Sequence, residues 1–159
     1  MSASDQLLIL LRIALAFALG GAIGLQRELS HEPAGLRTHM LVAGGAASFM
    51  ALSIAGIQLL HGSPPVTSDR IAAQVITGIG FLGAGAIWRT PSTVRGLTTA
   101  ASIWITAAVG MLCTGGLYIL AVATAALTIV ALAAVKIPER RLIDQRPGPD
   151  PQEQPEDSH

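Results

Sequence analysis

The chain has 159 residues, of which 51% are hydrophobic and only 13% charged. An ordinary soluble domain carries about 25% charged residues, so this composition excludes one. A formal net charge of zero argues against nucleic acid as a partner, and the single cysteine, Cys113, excludes an internal disulfide or a cysteine-rich metal cage.

A helix that crosses a bilayer needs about 20 mainly apolar residues. Five stretches qualify: Leu7–Leu25, Leu41–Leu60, Ile71–Trp88, Leu97–Cys113 and Leu117–Val135. Ahead of the first, Met1–Gln6 contains Asp5 and no basic residue. A secretory signal begins with positive charge, so this stretch reads as a span. Gly20 and Gly24 give it a G-x-x-x-G face, and Gly44 with Ser48 gives the second span a looser one. Helices in lipid associate by close packing, which small residues permit. Arg12, about one and a half turns inside the first span, is expected to snorkel to the interface or to pair with Asp69. Asp69 follows Thr67-Ser68 at a helix start, where the macrodipole favours a carboxylate.

Between the first two spans, Gln26–His39 concentrates ionisable groups. His31 and His39 are eight apart and match no zinc spacing such as H-E-x-x-H. Glu28 and Glu32, one helical turn apart, are the pair able to serve Mg²⁺, which takes one or two carboxylates and keeps several waters. Arg27 and Arg37 are equally near, so a salt-bridged loop is the expected arrangement. Glu28 and Asp69 fall on opposite sides of the membrane and cannot share an ion.

In the third span, Gly78, Gly80 and Gly83 spell G-x-G-x-x-G, the pattern of a dinucleotide-binding turn. That turn needs a preceding strand and an acidic residue about 20 positions on, whereas Ile103 and Trp104 stand there. With Gly85, these glycines instead thin a spanning helix so that another helix can approach. Gln74 sits one turn from Arg70 in the same span. In the fourth span Thr98, Thr99, Ser102 and Thr106 project hydroxyls, and Thr98, Ser102 and Thr106 are spaced by four on one face. Such a stripe is first of all glue between helices, and second a solute path or partner groove. Leu97–Val135 is a nearly uncharged block of about 39 residues, about 58 Å as one helix, so Cys113-Thr-Gly-Gly116 must turn it back.

Basic residues lie almost wholly on one side of the five spans. Arg27, Arg37, Arg89, Arg95, Lys136, Arg140, Arg141 and Arg146 share it, against Arg70 and Arg12 on the other. Basic loops stay in the cytoplasm, so the N-terminus is expected outside and the C-terminus inside. The chain thus reads as an all-α integral membrane protein, a compact bundle of about five transmembrane helices with glycine-rich packing. Residues 1–137 form the membrane domain, and 138–159, rich in proline and acidic at the end, form a disordered cytoplasmic tail. The serines and histidines lack a strand–turn–helix setting or an acidic orienter at motif spacing, so no enzyme is expected.

Gly20–Glu28, Pro33-Ala-Gly-Leu-Arg-Thr-His39 and Asp69-Arg-Ile-Ala-Ala-Gln74 resemble motifs of the MgtC/SapB family of bacterial inner-membrane proteins. The resemblance continues through Thr77–Ile87 and Val94–Trp104, in the same order. It implies a multi-pass plasma-membrane protein with its N-terminus outside, of a family whose members are linked to survival in low Mg²⁺ and to virulence, the latter not carried over to this chain. It also implies regulation of another membrane machine, such as the ATP synthase or a transport ATPase, in place of direct Mg²⁺ transport. The matched residues are Arg27, Glu28, Arg37, Asp69, Arg70, Gln74, Arg89, Arg95 and Thr98. Two departures stand out: Gln26 replaces an acidic residue of many members, and a short tail stands where better-studied members have a soluble domain.

The expected function is therefore that of a non-enzymatic membrane regulator in Mg²⁺ homeostasis, with no cofactor and its partners in the bilayer. A small channel or transporter for Mg²⁺ or another solute is the alternative. A bundle this small is expected to pair with a second copy, since symmetric dimers are the commonest assembly.

Overall fold

The computed structural model describes residues 2–59 and 68–134. The tail expected at 138–159 lies outside the described residues. Five helices and a two-stranded hairpin follow in order: α1 (Ala3–Leu29), α2 (Leu36–Leu59), α3 (Ser68–Gly85), β1 (Trp88–Arg89), β2 (Val94–Arg95), α4 (Leu97–Thr114) and α5 (Tyr118–Ala134). The all-α architecture expected from composition is the one adopted. Three helices are long and apolar enough to cross a membrane, over Ala3–Leu29, Leu36–Ala55 and Leu97–Thr114. The apolar lengths of α3 and α5 are shorter.

Local chemistry sets the helix ends. Ser2 and Asp5 make a reciprocal capping box at the start of α1. At its other end, Glu32 N–H donates to the Arg27 carbonyl at 3.1 Å while His31 takes a left-handed φ of 57°, the geometry that closes a helix with a Schellman turn. Much of the expected loop at 26–40 is thus helix. The α1 end continues to Leu29 and α2 begins at Leu36, whose N–H donates to the Glu28 carboxylate at 2.9 Å.

The third span departs from expectation. Helix α3 stops at Gly85, and Trp88, expected at its end, starts the hairpin, with Trp88 opposite Arg95 and Arg89 opposite Val94. Hydrogen bonds from Ala86 and Ile87 to the carbonyls of Gly83 and Ala84 tighten the last turn. Thr90 and Thr93 then close the strand connection around Pro91, whose fixed φ suits a turn. The turn expected at Cys113–Gly116 separates α4 from α5. Gly116 has φ 80°, and Leu117 N–H reaches back to the Leu112 carbonyl at 3.0 Å.

Packing contacts fix the helix directions. Arg27 of α1 meets Thr99 of α4, and His39 of α2 meets Ser102. At the opposite end, Arg12 of α1 meets Thr114 and Tyr118, and Thr114 also meets Ala47 of α2. So α2 and α4 run parallel, and α1 runs against both. The centre is built of small residues, with Ala16, Ala43, Ala47 and Cys113 fully buried beside Ile23 and Val109. Ala121 and Ala125 seat α5 on this core. A second cluster of Val42, Ala46, Ile103 and Ala107 receives Val75 and Ile79 of α3. Most of α3 faces outward, with Phe81 82% exposed. A surface that presents Phe81, Ile119 and Leu127 is solvated by lipid tails at no cost, whereas water would oppose it.

Candidate functional site

A line of buried polar groups runs through the end of the bundle where α1 finishes and α2 and α4 begin. Arg27, on the α1 face that also buries Gly20 and Gly24, is enclosed, with its side chain 2% exposed. Its Nη2 donates to Thr99 Oγ1 at 2.7 Å and to Glu32 Oε2 at 3.1 Å. A buried guanidinium persists only when paired and hydrogen-bonded, and the turn after α1 supplies Glu32 for that purpose. Its Nε has no partner among the described residues.

His39 lies one step along, fully buried. Its Nδ1 is 2.9 Å from the Gly35 carbonyl and its Nε2 is 3.1 Å from Ser102 Oγ. With Nδ1–H donating to the carbonyl, Nε2 is the acceptor for the serine hydroxyl. Ser102 Oγ is also 2.8 Å from the Thr99 carbonyl, so its single proton has two acceptors within reach. Thr106 donates to the Ser102 carbonyl at 2.7 Å, the back-bonding common for hydroxyls inside helices. The arrangement ties three helices together and, the Arg27 Nε aside, spends its polar groups on one another.

The expected stripe of Thr98, Ser102 and Thr106 is displaced by one residue at its start. Thr98 is exposed, and Thr99, Ser102 and Thr106 form the buried face. Steps of three and four both keep a residue on one helix face, and consecutive threonines gave the choice two solutions. Glu28 and Glu32 serve separate tasks, one at the start of α2 and one on Arg27. Among the described residues no group of three or more metal-ligating side chains comes together.

Of the other residues singled out in the sequence, Arg37, Arg89 and Arg95 are exposed at the Arg27 end. Arg70 is exposed in the first turn of α3, at the opposite end, and Gln74 is exposed one turn further on. Asp69 belongs to the same first turn, and its side chain lies outside the described residues. Arg12 turns toward the end of the bundle where α4 meets α5, and its expected pairing with Asp69 falls outside the described residues. Its Nε donates to the Tyr118 hydroxyl at 2.8 Å, its Nη1 to the Thr114 carbonyl at 3.0 Å, and the guanidinium lies 5.7 Å from the Tyr118 ring centre.

The glycines divide into two sets. A Cβ on Gly20 would come within 2.6 Å of the His39 carbonyl, and one on Gly24 within 2.7 Å of the Leu36 backbone. Gly110, not singled out in the sequence, is closed against the Ala43 carbonyl in the same way. A Cβ at Gly83 would make ordinary contact with Ala100, and those at Gly78, Gly80 and Gly85 would meet nothing within 4 Å.

The motif residues that shape this end of the bundle fall inside a longer match, as the MgtC family model covers residues 13–141. The chain belongs to the MgtC family. It is 49% identical over 126 residues to Protein MgtC of Brucella abortus, covering 79% of this chain and 50% of that protein. It is 44% identical over 125 residues to the putative magnesium transporter YhiD of Escherichia coli, covering 77% and 58%, and 44% identical over 125 residues to Protein MgtC of Salmonella typhimurium, covering 79% and 50%. The chain spans about half the length of the curated relatives it matches. No solved structure matches it. Family membership and three helices of spanning length make this MgtC-family chain a membrane protein.

Proposed function

We propose that this chain is a non-enzymatic, multi-pass protein of the bacterial plasma membrane that regulates another membrane complex through helix contact, in connection with Mg²⁺ homeostasis. The observation that carries this reading is the outward face of α3. Ala73, Thr77, Gly80 and Ala84 recur at steps of four, three and four and are all exposed, and a Cβ at Gly80 would meet nothing. Small residues in register let a second helix come close, the way helices recognise one another in lipid. Polar groups that would serve a solute path are instead tied up between α1, α2 and α4. The link to magnesium comes from the names of relatives. A transport ATPase or the ATP synthase is the proposed partner, and the arginine-rich Arg27 end is the cytoplasmic one.

Affinity purification from membranes tests the proposal. A membrane ATPase should accompany the wild-type chain and be lost in Gly80→Leu and weakened in Thr98→Leu, both exposed positions that leave the fold intact. Retention of the ATPase by both variants would sink the reading. One relative's name, putative magnesium transporter, favours transport instead. Purified protein in liposomes decides that point: saturable Mg²⁺ uptake abolished by Asp69→Asn or Gln74→Ala would make the chain a transporter.

A further inference from the structure

Helices α2 and α3 meet incompletely and leave an open, mainly apolar groove of about 500 Å³ between them, with Leu41, Gly45 and Phe49 on one wall and Gly78, Ile79 and Leu82 on the other, and Gln74 as its polar lining residue. Glycine holds it open, since a Cβ at Gly45 or Gly78 would find nothing within 4 Å. A volume of about 500 Å³ suits one lipid acyl chain. Its charge is placed at one end. Arg37, Leu41, Gly45 and Phe49 follow at intervals of four, so Arg37 shares the groove-facing stripe of α2 and stands one turn beyond its end. The hairpin after α3 brings Arg89 and Arg95 to the same end of the bundle, because α3 leads through it into α4, which runs parallel to α2. All three arginines are exposed, and among the described residues no carboxylate forms an ion pair with them. Trp88, opposite Arg95 and 66% exposed, is the kind of side chain that settles at the headgroup level.

We propose that this groove is a binding site for one anionic phospholipid, with an acyl chain between α2 and α3 and the phosphate held by Arg37 and the hairpin arginines. Apolar walls alone accept any lipid. Arginines at the groove mouth select negative charge, since guanidinium pairs with phosphate oxygens through charge-assisted bonds, as basic pockets between spanning helices do. A free phosphate ion would use the arginines and have no use for the groove, so the two halves of the site separate the possibilities.

Native mass spectrometry of the full chain, purified in mild detergent and offered phosphatidylglycerol and phosphatidylethanolamine at equal concentration, tests the site. The wild type should retain one phosphatidylglycerol per chain in preference to phosphatidylethanolamine. Arg37→Gln should lower that preference roughly fivefold, the effect of one basic residue near an anionic lipid surface. The paired substitution Gly45→Leu and Gly78→Leu, which fills open space, should lose both lipids while inorganic phosphate still binds the arginines. Circular dichroism and size-exclusion elution confirm folding, and Arg37→Gln, at an exposed position, carries the test if the filled groove misfolds. Equal retention of both lipids by the wild type, unchanged retention when the groove is filled, or a lipid-free dimer that the filled groove converts to monomer would each overturn the proposal.

Discussion

Arg27 shows how one buried charge organises the end of the bundle. Its Nη2 is shared between Glu32, which is 30% exposed, and Thr99, which is buried. Thr99→Val should lower stability by about 1–2 kcal/mol, the usual loss when a buried charged group gives up a partner. Arg27→Met should cost about 2–3 kcal/mol. Combined, the two should cost clearly less than their sum, because they remove one shared interaction. Denaturant titration in detergent measures the cycle, and strict additivity would show that the 2.7 Å contact carries no energy. Arg27 and the hydroxyl stripe are legible in the sequence, whereas the place of Thr99, rather than Thr98, on the buried face is not. Nothing local distinguishes two adjacent threonines, and only the rotation of α4 against α1 buries one of them.

Helix ends and helix contacts obey different rules. His31 closes α1 in the left-handed region, which costs a residue with a Cβ about 1–2 kcal/mol. His31→Gly should recover about 1 kcal/mol of that, visible as a raised thermal midpoint, and an unchanged or lowered midpoint would show that the left-handed turn carries no such cost. Glycines allow a sharper contrast. Gly110→Val should destabilise by at least about 1–3 kcal/mol, because the Ala43 backbone has no room to give. Gly80→Leu should leave the thermal midpoint within a degree or so while abolishing partner capture. A large loss of stability in Gly80→Leu would show that α3 packs more tightly than its exposed face indicates. These glycines look alike in sequence, where Gly80 lies in a conspicuous G-x-G-x-x-G and Gly110 stands alone. Their difference is one of surroundings, which motif spacing does not encode. The hairpin was hidden for a related reason: Trp88 continues the apolar run of α3, and the pairing of two-residue strands leaves no periodicity to detect.

For the whole molecule, Arg27, Arg37, Arg89 and Arg95 gather at one end and Arg12 and Arg70 at the other. With the former cytoplasmic, single cysteines introduced into a Cys113→Ala background should report opposite sides. Ser63→Cys should react with an impermeant maleimide in intact spheroplasts, and Ser92→Cys only after permeabilisation. The reverse pattern would invert the proposed orientation. Cys113 itself is fully buried in the core, and its change to alanine should cost on the order of 1 kcal/mol, the loss of one buried methylene-sized group.

Composition and charge placement by themselves determined that this chain is a helical membrane protein, roughly where its helices lie, and which arginines share an end. Those properties follow from the solvent, since lipid demands apolar length and penalises charge wherever it falls in the span. Tertiary structure alone decided which hydroxyl meets Arg27, which glycines are closed by a neighbour, where Arg12 finds its partners, and that α2 and α3 leave a groove between them. Each of those depends on the rotation and spacing of helices against one another. Small residues permit many such packings, and only the complete set of contacts selects one.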